Sequence, residues 1–425
     1  MDDTLTPSQR PAQPVIVTKP GHAISRQDVD PDALNIIYRL HRQGFTAYLT
    51  GGAVRDLMLG RPAKDFDVVT DARPGQIKKR FARAFIIGRR FRLAHVHFPG
   101  GKYIEVATFR RISDQAAREV TPAEASAEES VPAHPYGTPE EDAFRRDITI
   151  NALYYDPVAD AVIDYVGGLE DIARRTVRVI GNPAERFTED PVRIWRVLRY
   201  SSRLGFAVEE AAEREIPGHI HLIAVASGAR LYEELNKDLA FETRPVVETL
   251  RKYGLLKFIF GKAGEAYEND SELFSQLSSL LECADRTRAT GIFLTIEEMY
   301  ALLFWPWLRP LLDAGGVDHH KLLSDAFRDA SMRVNIPRNL RSDAVQIMII
   351  VEAMDRAVRS GRMRWALTRR PHYKPAERLF FLIFKGRLPE NGETFETLFR
   401  QAFPGGGKSR RRPRRRPFRN RPPVP

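Results

Sequence analysis

The chain has 425 residues, 66 lysines and arginines against 55 aspartates and glutamates, a formal net charge of +11, and one cysteine. A single cysteine, Cys283, excludes an internal disulfide and fits a reducing compartment, and no run of eighteen apolar residues offers a transmembrane helix. The length predicts two or three domains. Residues 1 to about 25 are polar and proline-bearing, without a charged-then-apolar signal pattern, so a flexible lead-in and a cytoplasmic location are expected.

The region from residue 26 to 181 reads as strands alternating with short helices, a mixed sheet. Ala47-Tyr48-Leu49-Thr50 predicts a strand, Gly51-Gly52 breaks it, and Ala53 to Leu59 predicts a helix closed by Gly60. Strand, glycine pair and helix together form an anion-binding arrangement. The backbone can approach phosphate oxygens closely, the first helical N–H groups point at them, and Arg55 adds a charged fork. No GxxxxGK[ST] or GxGxxG is present, and a plain tight turn explains the glycines alone equally well.

Phe66 to Thr70 predicts a buried strand, on which residues two apart share a face with Cα atoms about 6.5 Å apart. Asp65 and Asp67 therefore point the same way and can share divalent cations, as two-metal nucleotidyl transfer requires. Magnesium suits such an all-oxygen site, although an isolated DxD also reads as a solvated strand end. Ala84 to Ile87, Leu93 to Phe98 and Tyr103 to Arg110 predict further strands. The last two are joined by Pro99-Gly100-Gly101-Lys102 as a hairpin, so the sheet is not all parallel. His95 and His97 share one strand face, where a hydrogen-bonded structural pair and a nucleotide or RNA contact are both open readings. Gln115 to Glu141 lacks an apolar period and predicts a mobile surface loop.

After Asp190 the strand signals fade. Val192 to Leu204, Ala229 to Leu239, Val246 to Tyr253 and Ala344 to Arg359 carry helical spacing and predict an α-helical array. Trp305-Pro306-Trp307 could stack on bases, but its apolar neighbourhood favours core or a domain seam. Asp318-His319-His320 precedes a helix-like run and lacks companion metal-binding motifs. From Pro404 onward the chain carries Lys408, eight arginines and no acid, so this stretch holds nine of the eleven net charges. Like charges with interspersed prolines pack no core, so a disordered arm is expected, one that grips RNA phosphates or, in the plainer readings, serves as a solubility tail or targeting patch.

GGAVRD followed by KDFDVVT resembles the head of the class II tRNA nucleotidyltransferase and bacterial poly(A) polymerase superfamily, within the polymerase-β-like nucleotidyltransferases. RRDITINAL (145–153), DYVGGLED (164–171), EDPVRIWR (189–196) and RLYEEL (230–235) agree with that family in order. Ile86 to Val96, His22 to Arg26 and the arginine-rich end resemble the bacterial poly(A) polymerases rather than their CCA-adding relatives. The resemblance implies an α+β protein: a nucleotidyltransferase domain over 26–181, a helical neck over 182–270, a helical RNA-binding body over 271–403 and a basic tail over 404–425.

It also implies roles. Asp65 and Asp67 would bind catalytic Mg²⁺, and Asp147 would be a third functional carboxylate, with Glu105 as its rival. Gly51, Gly52, Arg55 and Arg146 would meet the triphosphate of ATP, with Asn151 near the sugar. Asp190, Arg193 and Arg196 would read the base, a carboxylate accepting from the exocyclic amine and an arginine donating to ring nitrogens. Arg410, Arg411, Arg412, Arg414, Arg415 and Arg416 would hold RNA. The expected activity is template-free addition of AMP to RNA 3′ ends, the alternatives being CCA addition to tRNA and non-catalytic RNA binding on the same fold. RNA-decay or RNA-chaperone proteins are expected as further partners, and DNA is not.

Overall fold

The computed structural model describes residues 13–88, 92–111, 136–312, 318–390 and 392–404. The arginine-rich tail, most of the loop expected over 115–141, and Arg89, Arg90 and Phe91 of the subgroup segment lie outside the described residues. The chain forms two compact units. One runs to Glu234 and includes Glu248–Leu255; the other takes Leu235–Val247 and the chain from Leu256 onward.

The first unit is built on an eight-stranded mixed sheet. Its strands are β1 (Val15–Thr18), β2 (Ala47–Thr50), β3 (Asp67–Thr70), β4 (Ala84–Ile87), β5 (Leu93–His97), β6 (Tyr103–Thr108), β7 (Tyr154–Asp156) and β8 (Ala161–Asp164), in the order β1-β8-β7-β2-β3-β6-β5-β4. β3 and β6 run parallel, and the other neighbours are antiparallel. The expected β5–β6 hairpin is present. The flexible reading of residues 1 to 25 needs correction, because Val15-Ile16-Val17-Thr18 pairs with β8 as an edge strand. Those four residues are β-branched, a strand signal hidden among polar neighbours.

Period-2 alternation splits the sheet residues between two clusters. On one face Leu49, Val68, Ala94, Val96, Ile104 and Val106 pack against α1 (Pro31–His41), α2 (Gly52–Met58) and α3 (Pro74–Arg80). α1 shows why: Asp30 caps its N-terminus, Pro31 opens it, and Ala33, Ile36, Ile37 and Leu40 recur at helical spacing on its buried side. On the other face Val69, Phe109 and Tyr154 meet α4 (Pro139–Phe144). The loop reading over 115–141 overruns here, since Thr138 and Glu141 form a reciprocal cap that starts α4.

α5 (Gly168–Arg174) leads to a two-stranded parallel ribbon of β9 (Thr176–Val177) and β10 (Ala207–Val208). Between these strands lie α6 (Pro183–Glu189) and α7 (Val192–Leu204), followed by α8 (Glu210–His219) and α9 (Gly228–Leu239). Residues 182–234 thus belong to the same compact unit as the sheet and do not begin a separate one. Arg186 ties them in by donating to the carbonyls of Arg145 and Arg146.

The second unit is an array of helices, including Ser271–Ala289, Ile296–Leu312, Arg338–Ser360 and Tyr373–Lys385. Trp305 is 3% exposed and belongs to its core. Asp318 caps the helix His319–Ser331 by accepting from the backbone N–H groups of His320 and Lys321, which accounts for the Asp-His-His run. Among the described residues no helix is long and apolar enough to cross a membrane.

Candidate active site

The glycine turn forms where the sequence places it. Gly51 has φ +74° and ψ −141°, a conformation closed to other residues, and α2 starts at Gly52 without a side-chain cap. A Cβ at Gly51 would lie 3.8 Å from Arg146 Nη1 and 3.9 Å from Asp67 Oδ2, and one at Gly52 would lie 3.4 Å from Arg55 Nη2. The turn therefore sits between a guanidinium and a carboxylate.

Asn151 ties the basic side together. Arg55 Nη1 donates to Asn151 Oδ1 at 2.6 Å, and Arg146 Nη1 donates to the Asn151 carbonyl at 3.1 Å. Gly51, Gly52, Arg55, Arg146 and Asn151 are thus one cluster drawn from two stretches about a hundred residues apart in sequence.

Arg146 is aimed by Asp142, whose carboxylate accepts from Arg145, Arg146 and the Tyr154 hydroxyl. The Asp142 side chain has no exposed surface. Burial would raise its pKa, but Arg146 and then Arg145 outweigh that and hold it at about 2. A depressed carboxylate contributes stability above its unfolded pKa near 4 and loses it as pH falls toward 2. Asp142→Asn is therefore expected to cost roughly 2 kcal/mol at pH 7 and to flatten the acid limb of the stability curve below pH 4, as read by urea titration across pH.

β3 begins at Asp67, so Asp65 lies in the segment entering the strand rather than within it; both are exposed. The parallel register Val68↔Val106 sets Asp67 beside Glu105 of β6. The Asp67 residue is open to solvent, yet enough protein lies around its carboxyl for desolvation to act on it. Desolvation and then the Glu105 carboxylate push it up to about 6 against the pull of Arg146, with Asp65 adding to the rise.

Crowded carboxylates that resist ionising together are what a divalent cation relieves. Among the described residues no three acidic, histidine or cysteine side chains already converge as a finished cage. Magnesium does not need one, since it is held by one or two carboxylates together with substrate phosphates and water. The donor set fits that ion.

Asp147 stands elsewhere. Its carboxylate accepts from Arg196 Nε at 2.5 Å; burial would raise its pKa, but the Arg196 charge keeps it below the usual carboxylate range. Arg196 in turn is raised well above its ordinary value, chiefly by Asp147, and also reaches Glu234 of α9 at 3.4 Å. The third-carboxylate expectation for Asp147 thus meets a part-buried ion pair. The carboxylate beside Asp67 is Glu105, brought there by strand pairing.

Asp190 and Arg193 flank the start of α7. Asp190 is clasped by Arg230 of α9 in a two-pronged pair at 2.8 and 2.6 Å, and it also accepts from the Val192 N–H. Arg193 donates to Glu189 at 2.5 Å and to the Arg186 carbonyl at 3.0 Å.

Tyr200 is a residue that motif reading missed. The guanidinium of Arg55 lies over its ring at 5.0 Å and that of Arg196 at 5.8 Å, so it joins the phosphate-side arginine to α7. Burial would raise its hydroxyl, but Arg196, then Arg55 and Arg199, draw it below its ordinary value. The available signal was helical spacing, because Arg193, Arg196 and Tyr200 lie three and four residues apart.

DYVGGLED lies beneath this cluster. Asp164 accepts from the N–H groups of Val166, Gly167 and Leu169, and Asp171 accepts from the Thr149 hydroxyl and from Arg178. A Cβ on Gly168 would stand 2.4 Å from the Thr149 carbonyl oxygen. Backbone therefore runs against backbone under the segment that carries Arg146, Asp147 and Asn151.

Residues 47–178 match the family model described as the poly A polymerase head domain, and residues 205–265 match one described as "Probable RNA and SrmB- binding site of polymerase A". The chain is 35% identical over 376 residues to poly(A) polymerase I of Salmonella typhi, an alignment covering 85% of this chain and 80% of that protein. It is 34% identical over 403 residues to poly(A) polymerase I of Escherichia coli, covering 90% and 83%. With the CCA-adding enzyme of Bacillus pumilus it shares 37% identity over 205 residues, 48% of each chain. Among solved structures, the Bacillus stearothermophilus CCA-adding enzyme in complex with CTP superposes with a TM-score of 0.57 at 25% identity, covering 89% of this chain and 94% of that one. Fold, site and relatives define a nucleotidyltransferase. The chain belongs to the bacterial poly(A) polymerase family.

Proposed function

We propose that this chain adds adenylate from ATP to RNA 3′ ends without a template, the primer hydroxyl attacking the α-phosphorus in line as pyrophosphate leaves. The observation that supports it most is the juxtaposition of Asp65, Asp67 and Glu105 with a Gly51-Gly52 turn flanked by Arg55 and Arg146. Asp65 and Asp67 are the residues that would hold Mg²⁺, which would supply Lewis acidity toward the primer hydroxyl and the leaving pyrophosphate. Glu105, rather than Asp147, completes the acidic set.

The remaining steps belong to the chain's own groups. The glycine turn lets backbone N–H groups approach the triphosphate, and Arg55 and Arg146 balance its charge from a frame locked by Asn151. Asp190 and Arg193 offer the acceptor and donor that complement an adenine edge. Arg196, paired with Asp147, positions α7 instead of contacting the base. Residues 205–265 we assign to RNA contact, following the description of the family they match.

The test is incorporation by the purified protein on an RNA oligomer with each of the four triphosphates offered singly. ATP alone is expected to give long tails. Three-nucleotide completion of tRNA lacking its end, requiring CTP and ATP, would instead make it a CCA-adding enzyme.

The tail enters this reading as an anchor. Deleting residues 405–425 is expected to weaken RNA binding about tenfold or more at low salt and to shorten processive runs, while single additions at saturating RNA persist. The salt slope of binding should flatten in the truncated protein, and RNA held equally tightly at low salt would remove the anchor.

A further inference from the structure

Sheet alternation that buries Ala94, Val96, Ile104 and Val106 turns their neighbours to the opposite face. There β4, β5 and β6 present Phe85, Ile87, His95, His97, Tyr103 and Glu105. The second cluster, around Val69, Phe109, Tyr154 and α4, covers this face over β2, β3, β7 and β8 and reaches β6 only at Ala107. Phe85, Ile87 and Tyr103 remain 56%, 46% and 51% exposed, among the large apolar side chains most open to solvent in the described residues.

The rings are already ordered against one another. His95 stacks on Tyr103 with centroids 4.4 Å apart and planes 11° from parallel, and Phe85 meets His97 edge-on at 5.1 Å. The surface is continuous with the acidic site. Phe85 pairs with His95 and His95 with Glu105, which stands beside Asp67, so one row of side chains crosses four strands. At one strand spacing per step, Phe85 lies about 14 Å from Asp67. The exposed arginines Arg83 and Arg92 flank the row where β4 and β5 begin.

We propose that this face is a stacking platform for the bases of the RNA primer immediately behind its reacting 3′ end. The proposal rests on the adenylyl-transfer reading, which puts that end at Asp65, Asp67 and Glu105. Every base has a π-face, so stacking on aromatic rings holds RNA without reading its sequence, which is what a template-free enzyme needs of its primer. Sheets with exposed aromatics take about two or three unstacked bases in this manner. Basic residues at the rim match the primer phosphates, and the rings match its bases.

The experiment compares wild type with Phe85→Ala/Tyr103→Ala, both sites being exposed and outside the core. The KM for an RNA oligomer should rise at least tenfold while the KM for ATP stays within twofold. Oligomers abasic at the second and third nucleotides from the 3′ end should lose a similar factor with wild type and nothing further with the variant. Phe85→Trp/Tyr103→Phe should retain wild-type RNA affinity. Normal extension by the alanine variant with unchanged RNA KM overturns the platform and leaves adenylation standing. A wild-type protein that extends no RNA overturns the adenylation reading and the platform with it.

Discussion

Replacing Asp65 and Asp67 together with alanine is expected to lower the rate of AMP addition at saturating ATP and RNA by at least about a thousandfold, ~4 kcal/mol of barrier. The loss should be catalytic and not structural. Asp67 stands at the exposed start of β3, and its carboxyl is pushed up to about 6 by desolvation and by Glu105. Removing it therefore relieves repulsion, and Tm in the absence of metal should hold or rise. Added Mg²⁺ should raise the Tm of the wild type and leave the variant unmoved, because an ion bound only by the folded state stabilises by mass action. Glu105→Gln should fall between the two in activity. Undiminished elongation by the double variant would dispose of the mechanism.

The second large effect is on folding. Asp147→Ala and Arg196→Ala should each destabilise by roughly 1–3 kcal/mol, since the pair is part-buried and each change removes the main partner of a charged group, Arg196 keeping Glu234. The double variant should lose less than the sum of the singles, and that coupling, measured by urea unfolding, isolates the pair. Activity per folded molecule separates positioning from catalysis. If Asp147 touched the reacting atoms, Asp147→Asn would abolish turnover with little loss of stability. Here it is expected to lower stability first and turnover secondarily, through the tilt of α7 and Tyr200.

The sequence made the local parts of this architecture legible. The Gly51-Gly52 turn, the strand entering at Asp67, the β5–β6 hairpin and α7 each follow from period and turn chemistry within a few residues. Pairings across long stretches were not legible. Glu105 reaches Asp67 only because β3 and β6 lie side by side in parallel, and no spacing rule marks that. Asp190 meets Arg230, and Asp147 meets Arg196, across 40 and 49 residues. Motif order recovered the stretches that hold these residues, while their partners came from the packing of α7 and α9. The N-terminal edge strand was missed because four β-branched residues carry little weight until β8 is there to pair with them.

Gly168 sets an alignment tolerance for the whole centre. With Thr149 O only 2.4 Å from where a methyl group would go, Gly168→Ala would wedge apart two backbones and carry the adjoining arginine and asparagine off line. Misplacement of about 1 Å costs on the order of a hundredfold in rate. The glycine in DYVGGLED thus governs turnover by clearance alone, as a spacer of zero thickness.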